Sequence, residues 1–366
     1  MNNLPLEEVA KIYSGNSINA KLKKEKYTDK NFSTPYVATK DLSKNGDFEY
    51  NNGITIPDTE LDNFKIAPKG STLICMEGGS AGKKIGLLKQ DVCFVNKLGA
   101  LVPNEKINNR YLYYSLQTPE FQAKFKSSLT GIIGGVSLSK LKKLQIPVPS
   151  LQEQEKIVER LDKAFSYIDL HLKNIKQKDF EIDKLFASIL YETFSEKEVM
   201  LGNFIELNYG KDLDKKQRGD KFKIPLYGSN GIMDFASKSL HDEESVIIGR
   251  KGSVGELQFV EGPFWVIDVG FYVTLTNKDH SMKYYFYLLK SLNLQNLATG
   301  VKPGLNRNKV YDILVPKHSC TQQKKIVDKL DKLFLLKNEM QNISMKKIGS
   351  NGSLKQSILN KEFSYE

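Results

Sequence analysis

Two lysine-rich stretches, AKLKKEKYTDK (20–30) and GKDLDKKQRGDKFK (210–223), each follow a short apolar segment near the start of a domain-sized part of the chain. Cations on such a loop neutralise phosphates and position a protein on a polyanion without reading its sequence. Lys21, Lys23, Lys24, Lys26, Lys211, Lys215, Lys216 and Arg218 are therefore candidate contacts to a nucleic-acid backbone. A solvated lysine run is the competing reading, and Asp212 and Asp214 favour it. Base reading needs side chains that match base edges: arginine forks onto guanine, and Asn or Gln pairs with adenine. Arginine is scarce here, with five among 54 basic residues. Residues 1–149 offer only Arg110, apparent at a helix start, so base contacts there fall to groups such as Thr39, Lys40, Ser80, Lys83 and Lys84. Residues 198–318 offer Arg218, Arg250 and Arg307, beside Lys251, Ser253 and the Tyr227, Ser229 and Asn230 of a YGSNG turn. TGIIGG and TGVKPG read as loops bordering the long helices, from which Lys302 and Arg307 could reach a phosphate.

Catalytic groups are harder to find. GGSAGKK (78–84) has the glycines of a phosphate loop but the wrong spacing, and Lys84 stands where Ser or Thr should hold Mg²⁺. The four histidines, His171, His241, His280 and His318, form no metal-ligand pair at helical spacing. No glycine-rich cofactor fingerprint follows a strand, and no Asn/Asp-Pro-Pro-aromatic tetrad is present to hold a flipped adenine. The expectation is a chain with no catalytic residue, no metal and no cofactor of its own. The formal charge of +11 favours an anionic partner, although lysine-rich coding in an AT-rich genome accounts for the same balance. Three scattered cysteines, no apolar signal core and no bilayer-length apolar run make a cytoplasmic protein, away from membranes, the expectation.

The elements that must position these residues come in two copies. LQEQEKIVERLDKAF (151–165) and CTQQKKIVDKLDKLF (320–334) are identical at eight of fifteen positions. At the same offset of 169 the match begins at Thr130-Gly131 against Thr299-Gly300 and is still present at SILYETFS (188–195) against SILNKEFS (357–364). Upstream it drifts to an offset of 195, where VAKIYSG (9–15) faces FIELNYG (204–210), so the first copy carries 26 extra residues. Each copy opens with short strand-like segments such as STLICM and SVIIG and ends in a long helix. Ser150 with Glu153, and Ser319 with Gln322, have capping-box spacing, so that glutamate and glutamine are caps rather than catalysts. Ile157, Leu161, Phe165, Ile168, Leu172 and Ile175, with Ile326, Leu330, Leu333 and Phe334, form a coiled-coil-like seam interrupted at Asp179 and expected to serve helix pairing and partner docking. Gly349 and Gly352 in GSNGS (349–353) each cost about 1 kcal/mol in a helix interior, so the second helix is expected to weaken or break there.

The runs TGIIGGVSLSKLKKLQIPVPSLQEQEKIVERLD (130–162), TPYVATKDLS (34–43), IPLYGSNGI (224–232) and IIGRKGSVGELQFVEGPFWVIDVGFYV (247–273) together resemble the specificity subunits of type I restriction–modification systems, over nearly the whole chain. The resemblance implies an α+β fold. Two similar target-recognition domains (1–149 and 198–318) would be separated by two long helices (150–197 and 319–366) forming an antiparallel coiled coil with an internal pseudo-two-fold. It further implies a non-catalytic DNA-recognition role, with each domain reading half of a split double-stranded target. The helices would dock two methyltransferase subunits, and restriction/translocase subunits would join. S-adenosylmethionine, ATP and Mg²⁺ would belong to those partners. A helix of about 35–40 residues spans roughly 50–60 Å, on the order of 15 base pairs, long enough to act as a ruler between half-sites. The specificity subunit of another split-site methylation system and a free-standing DNA-binding regulator are the alternatives.

Overall fold

The computed structural model describes residues 2–28, 34–131, 134–298, 300 and 303–364. The chain divides into two compact units, Met1–Lys173 with Lys347–Glu366, and Asn174–Lys346. In the first unit, a four-stranded antiparallel sheet runs in the order Ala10–Ser14, Leu98–Pro103, Thr72–Cys75, Ile85–Leu87. In the second, the same order recurs as Ile205–Tyr209, Gly270–Leu275, Ser245–Gly249, Leu257–Val260. The central strands TLIC and SVIIG are buried along their whole length, which is why they read as unbroken apolar runs rather than alternating ones.

Each unit adds a second, smaller sheet containing one parallel pair. Tyr36 lies opposite Cys93 in the first unit, and Tyr227 opposite Val266 in the second. Part of the extra length of the first copy is spent here, on the strands Thr55–Ile56 and Ile66–Ala67 and the 3₁₀ turn Asp58–Asn63 between them. A short terminal pairing closes each unit: Asn3–Pro5 with Gln145–Pro147, and Val199–Met200 with Leu314–Val315. Those pairings deliver the chain to the start of a long helix.

The first long helix, Leu151–Thr193, contains no Gly or Pro in its 43 residues. The second runs from Cys320 to Phe363 without a break, so the expected interruption at Gly349–Ser353 is absent. The two glycines still cost about 1 kcal/mol each. Beyond them, Leu359 and Phe363 are buried in the first unit's core, each contributing about 1.5–3 kcal/mol. Glu362 also takes an ion pair from Arg160 at 2.8 Å. Burial at the far end therefore outweighs the glycine cost.

The two helices pair antiparallel inside each unit. In the first, Asp169 accepts from Lys355 at 2.6 Å and Arg160 meets Glu362. In the second, Asp179 accepts from Ser344 at 2.7 Å, Asp183 meets Lys337 at 2.7 Å, and the rings of Phe186 and Phe334 stand 5.8 Å apart. Asp179, which interrupts the apolar seam, thus spends its carboxylate on a hydrogen bond across the helix pair.

Two repeat-related devices fix each helix to its unit. Gln154, fully buried, donates to the carbonyls of Pro149 and Lys106 and accepts from Asn108 N–H at 2.8 Å. Gln323 does the same with His318 O and Ser281 N–H. Two helical turns further on, Asp162 accepts from Arg110 and Tyr114, both at 2.6 Å. Its counterpart Asp331 accepts from Lys283 at 3.0 Å and Tyr287 at 2.6 Å. Burial, and after it the hydrogen bond to the neighbouring carboxylate, pushes the Tyr114 and Tyr287 phenols up, so both stay protonated donors.

Candidate nucleic-acid interface

In the first unit the basic stretch is not a loop throughout. Ala20–Lys26 is a short helix capped by Asn19, whose side chain accepts from Lys21 N–H. Its lysines divide. Lys26 is held by Glu60 at 2.7 Å, Lys21 lies 3.9 Å from Glu25, and Lys23 sits 4.6 Å above the Tyr36 ring. Partial burial, and after it the charge of Lys40, lowers the Lys23 ammonium pKa, which places Lys23 and Lys40 in one field. Lys84 donates to the carbonyl of Thr39 at 2.8 Å, so Lys23, Thr39, Lys40 and Lys84 gather beside one another. Lys83 is turned back onto Gly79 O, and Lys24 stays exposed on the helix. Ser80 lies in the turn closed by hydrogen bonds from Gly82 N–H to Cys75 O and from Lys83 N–H to Ser80 O.

In the second unit the basic stretch is tied down more firmly. Leu213 is buried with Leu226, Ala236 and Trp265, and Trp265 Nε1 donates to Lys211 O at 2.6 Å. Asp214 spends its carboxylate capping the 3₁₀ turn Lys215–Gln217. Lys215 and Lys216 remain exposed on it, whereas Arg218 is half-buried and bridges to Ala236. Tyr227 is not available to a ligand: it is 8% exposed and packs in a core cluster with Ile247, Val260, Phe264 and Val266. Burial raises its phenol pKa. The reading of Tyr227 as a DNA contact is corrected accordingly. An apolar ring on the covered face of a parallel strand pair is drawn inward.

The other candidates of this unit converge. Ser229 Oγ accepts from Ser253 N–H at 3.5 Å, joining the Ser229–Asn230 turn to the turn at Arg250–Ser253. Arg250 lies 4.8 Å from the ring centroid of Tyr209 and Arg307 lies 5.3 Å from the same ring. Lys251 pairs with Asp268 at 3.7 Å. Lys302 lies outside the described residues.

The TG-containing loops dock against these turns. Leu305 N–H donates to Arg250 O, and Val136 N–H donates to Met76 O, both at 2.9 Å. Tyr209 is the member that the residue types alone do not single out. Its signal is positional, as the residue before the glycine that opens each copy's first loop, where the first copy has Ser14.

At the helix starts, Gln322 Oε1 accepts from Ser319 N–H at 2.8 Å and Ser319 Oγ accepts from Gln322 N–H at 3.4 Å. In the first copy Ser150 Oγ accepts from Glu153 N–H at 3.4 Å, but the Glu153 carboxylate faces Arg160 at 3.5 Å. Of the seam residues, Ile157 and Leu161 are enclosed in the first unit's core, with Phe165 packed at its edge. Ile168 and Ile175 are buried and Leu172 is half-buried. Leu330 lies in the second unit's core with Ile326, Leu333 and Phe334 packed on it. Ile157, Leu161, Ile168, Ile175 and Leu330 are thus enclosed within the chain and leave a partner no surface, while Phe165, Leu172, Ile326, Leu333 and Phe334 are partly exposed. The apolar groups left exposed on the helices are others, among them Leu335, Leu336 and Met340. Among the described residues no group of three or more His, Cys, Asp or Glu is placed to hold a metal ion, and no helix is long and apolar enough to cross a membrane.

Known proteins share this arrangement. The chain is 25% identical to the specificity subunit of the EcoprrI type I restriction enzyme of Escherichia coli, over 93% of this chain and 89% of that one. It is 24% identical to a type I specificity subunit of Mycoplasma genitalium, over 93% and 91%. Among solved structures, a chain from work on complex assembly and conformational transition of the type I R-M system superposes with a TM-score of 0.75 at 15% identity, covering 99% of this chain and 97% of that one. The HsdS subunit from Thermoanaerobacter tengcongensis superposes with a TM-score of 0.52 at 15% identity, covering 99% and 96%, and both share the fold. A family model described as the type I restriction modification DNA specificity domain matches residues 1–178 and again residues 195–348, and the chain belongs to that family.

Proposed function

We propose that this chain is the non-catalytic specificity subunit of a DNA methylation and restriction complex, and that each unit reads one half of a bipartite double-stranded target. The observation that carries this reading is the double match of one DNA specificity domain, at residues 1–178 and 195–348, on two units with the same strand order. Repetition of the frame supports two similar docking events. Divergence of the polar groups on it supports two different half-sites: lysine, threonine and a buried-edge tyrosine in the first unit, and paired arginines on an exposed ring in the second.

Two methyltransferase subunits carrying S-adenosylmethionine would bind the long helices, and motor–nuclease subunits using ATP and Mg²⁺ would join them. The exposed Leu335, Leu336 and Met340 are among the helix groups free to meet such a partner. The complex would act on chromosomal DNA in the cytoplasm.

The test is a genome-wide map of N6-methyladenine in source cells with and without this gene. Loss of one bipartite motif with a fixed unspecified gap is the expected result. Survival of every motif would remove the reading.

A further inference from the structure

We infer that the second unit reads a guanine through Arg307, with Tyr209 and Arg250 as the groups that position it; the inference rests on the DNA-reading role proposed above. Tyr209 ends its strand with 45% of its surface exposed, an aromatic ring left at the edge of a sheet. Two guanidinium groups share that ring, Arg250 at 4.8 Å and Arg307 at 5.3 Å. Arg250 is anchored, because its Nη1 donates to Asp268 O at 3.0 Å and its guanidinium also lies 5.8 Å from Phe271. Arg307 is exposed, and none of its five N–H donors is spent on a hydrogen bond or ion pair with the described residues. The Asp268 carboxylate faces Lys251 rather than either arginine.

Two cations against one ring repel each other until acceptors cover them. Stacking on a ring also fixes the plane of a guanidinium, and a fork in a fixed plane is what a bidentate contact to guanine N7 and O6 requires. A lysine ammonium can reach the same acceptors but has no planar fork for the ring to hold.

Among the described residues the first unit has no counterpart of this device. Strand register sets Tyr209, opposite Phe271, in the place of Ser14, opposite Gly99. The hydrogen bonds that clamp the turns set Arg250 O in the place of Met76 O. Arg307 is the first residue of a short helix capped by Asn306, and Leu138 is the first residue of the matching helix capped by Ser137. Serine, methionine and leucine can neither stack a cation nor fork onto a base. The arginine pair therefore belongs to the specificity of one unit, outside the shared frame.

The test uses the full-length chain in complex with its methyltransferase subunits to select duplexes from a randomised pool. Recovery of a bipartite consensus by the wild-type complex tests the DNA-reading role itself; its absence removes that role and this inference with it. Given a consensus, Arg307→Ala is expected to weaken the preference for guanine at one position of one half-site by on the order of ten- to a hundredfold. The other half-site should be unchanged. Arg307→Lys should weaken the same preference while keeping most of the affinity. Tyr209→Phe should preserve it, and Tyr209→Leu and Arg250→Ala should relax it. An unchanged consensus in Arg307→Ala, with uniformly weaker binding and a shallower salt dependence, makes Arg307 a phosphate contact and overturns the inference. A guanine preference undiminished in Arg307→Lys overturns it equally.

Discussion

Gln154 and Gln323 occupy equivalent places in the repeat, yet they hold unequal amounts of backbone. Gln154 satisfies two carbonyls and one N–H at 2.8–3.1 Å, whereas Gln323 satisfies one of each at 3.1 and 3.2 Å. A buried polar group stripped of its partner costs about 1–3 kcal/mol. Gln154→Ala is therefore expected to destabilise the first unit by about 3 kcal/mol and Gln323→Ala the second by about 2 kcal/mol. Urea unfolding of the two variants checks the order, and a Gln154→Ala cost under about 0.5 kcal/mol would contradict it. Both glutamines were visible as one of the identities between the two helix starts, one position past the capping residues. Residue types could not show that the cap faces solvent while its neighbour points into the core. The same limit applies at the candidate interface. Arg250 and Arg307 were legible because arginine is rare in this chain, but the ring that joins them depends on which strand Tyr209 ends. Tyr227, in a turn rich in polar residues, looked available and is packed inside.

At the scale of elements, the glycines of the second long helix give the sharpest test. A Cβ at Gly349 or Gly352 meets nothing within 4 Å, and neither residue has a positive φ. Replacing both with alanine is expected to stabilise the helix by about 1 kcal/mol per site, read as a rise in the unfolding midpoint. No change would mean that the helix is frayed there in solution. The seam gives the opposite contrast. Leu330, buried in the second unit's core, should cost about 2–5 kcal/mol when cut to alanine, whereas the exposed Leu335 should cost less than about 0.5 kcal/mol. If the proposed docking surface is right, Leu335→Asp with Met340→Asp should lower co-purification with the methyltransferase while the chain keeps its unfolding midpoint. Periodicity announced both helices and their seam, because apolar spacing of three and four survives in any one sequence. The continuity of the second helix was not legible. It depends on Leu359 and Phe363 being buried against residues some two hundred positions earlier in the chain.

For the whole molecule, the repeat announced two copies of one frame, since an offset of 169 holds from Thr130 onwards. The sheet order did not follow from it. The parallel pairs at Tyr36 with Cys93 and Tyr227 with Val266 join segments about forty to sixty residues apart, and no local pattern encodes such a pairing. What the frame does for function is tested by changing the helices and leaving the units' reading surfaces alone. Asp179 and Ser344 face each other across the helix pair, so removing 176–179 from one helix and 344–347 from the other deletes matched turns. Each helix shortens by about 6 Å while the pairs Arg160–Glu362 and Asp183–Lys337 remain on either side. If the helices set the separation at which two half-sites are read, the complex built on the doubly shortened chain should methylate the same two half-sites across a gap shorter by about two base pairs. Removing the turn from one helix alone should instead misalign the pair and lower assembly. A methylation map of cells carrying each version reads both outcomes directly. Unchanged half-sites with an unchanged gap would show that the methyltransferases, rather than this chain, fix the spacing. An altered half-site would show that the helices and the reading surfaces are mechanically coupled, and the assignment of spacing and sequence to separate parts of the fold would fall.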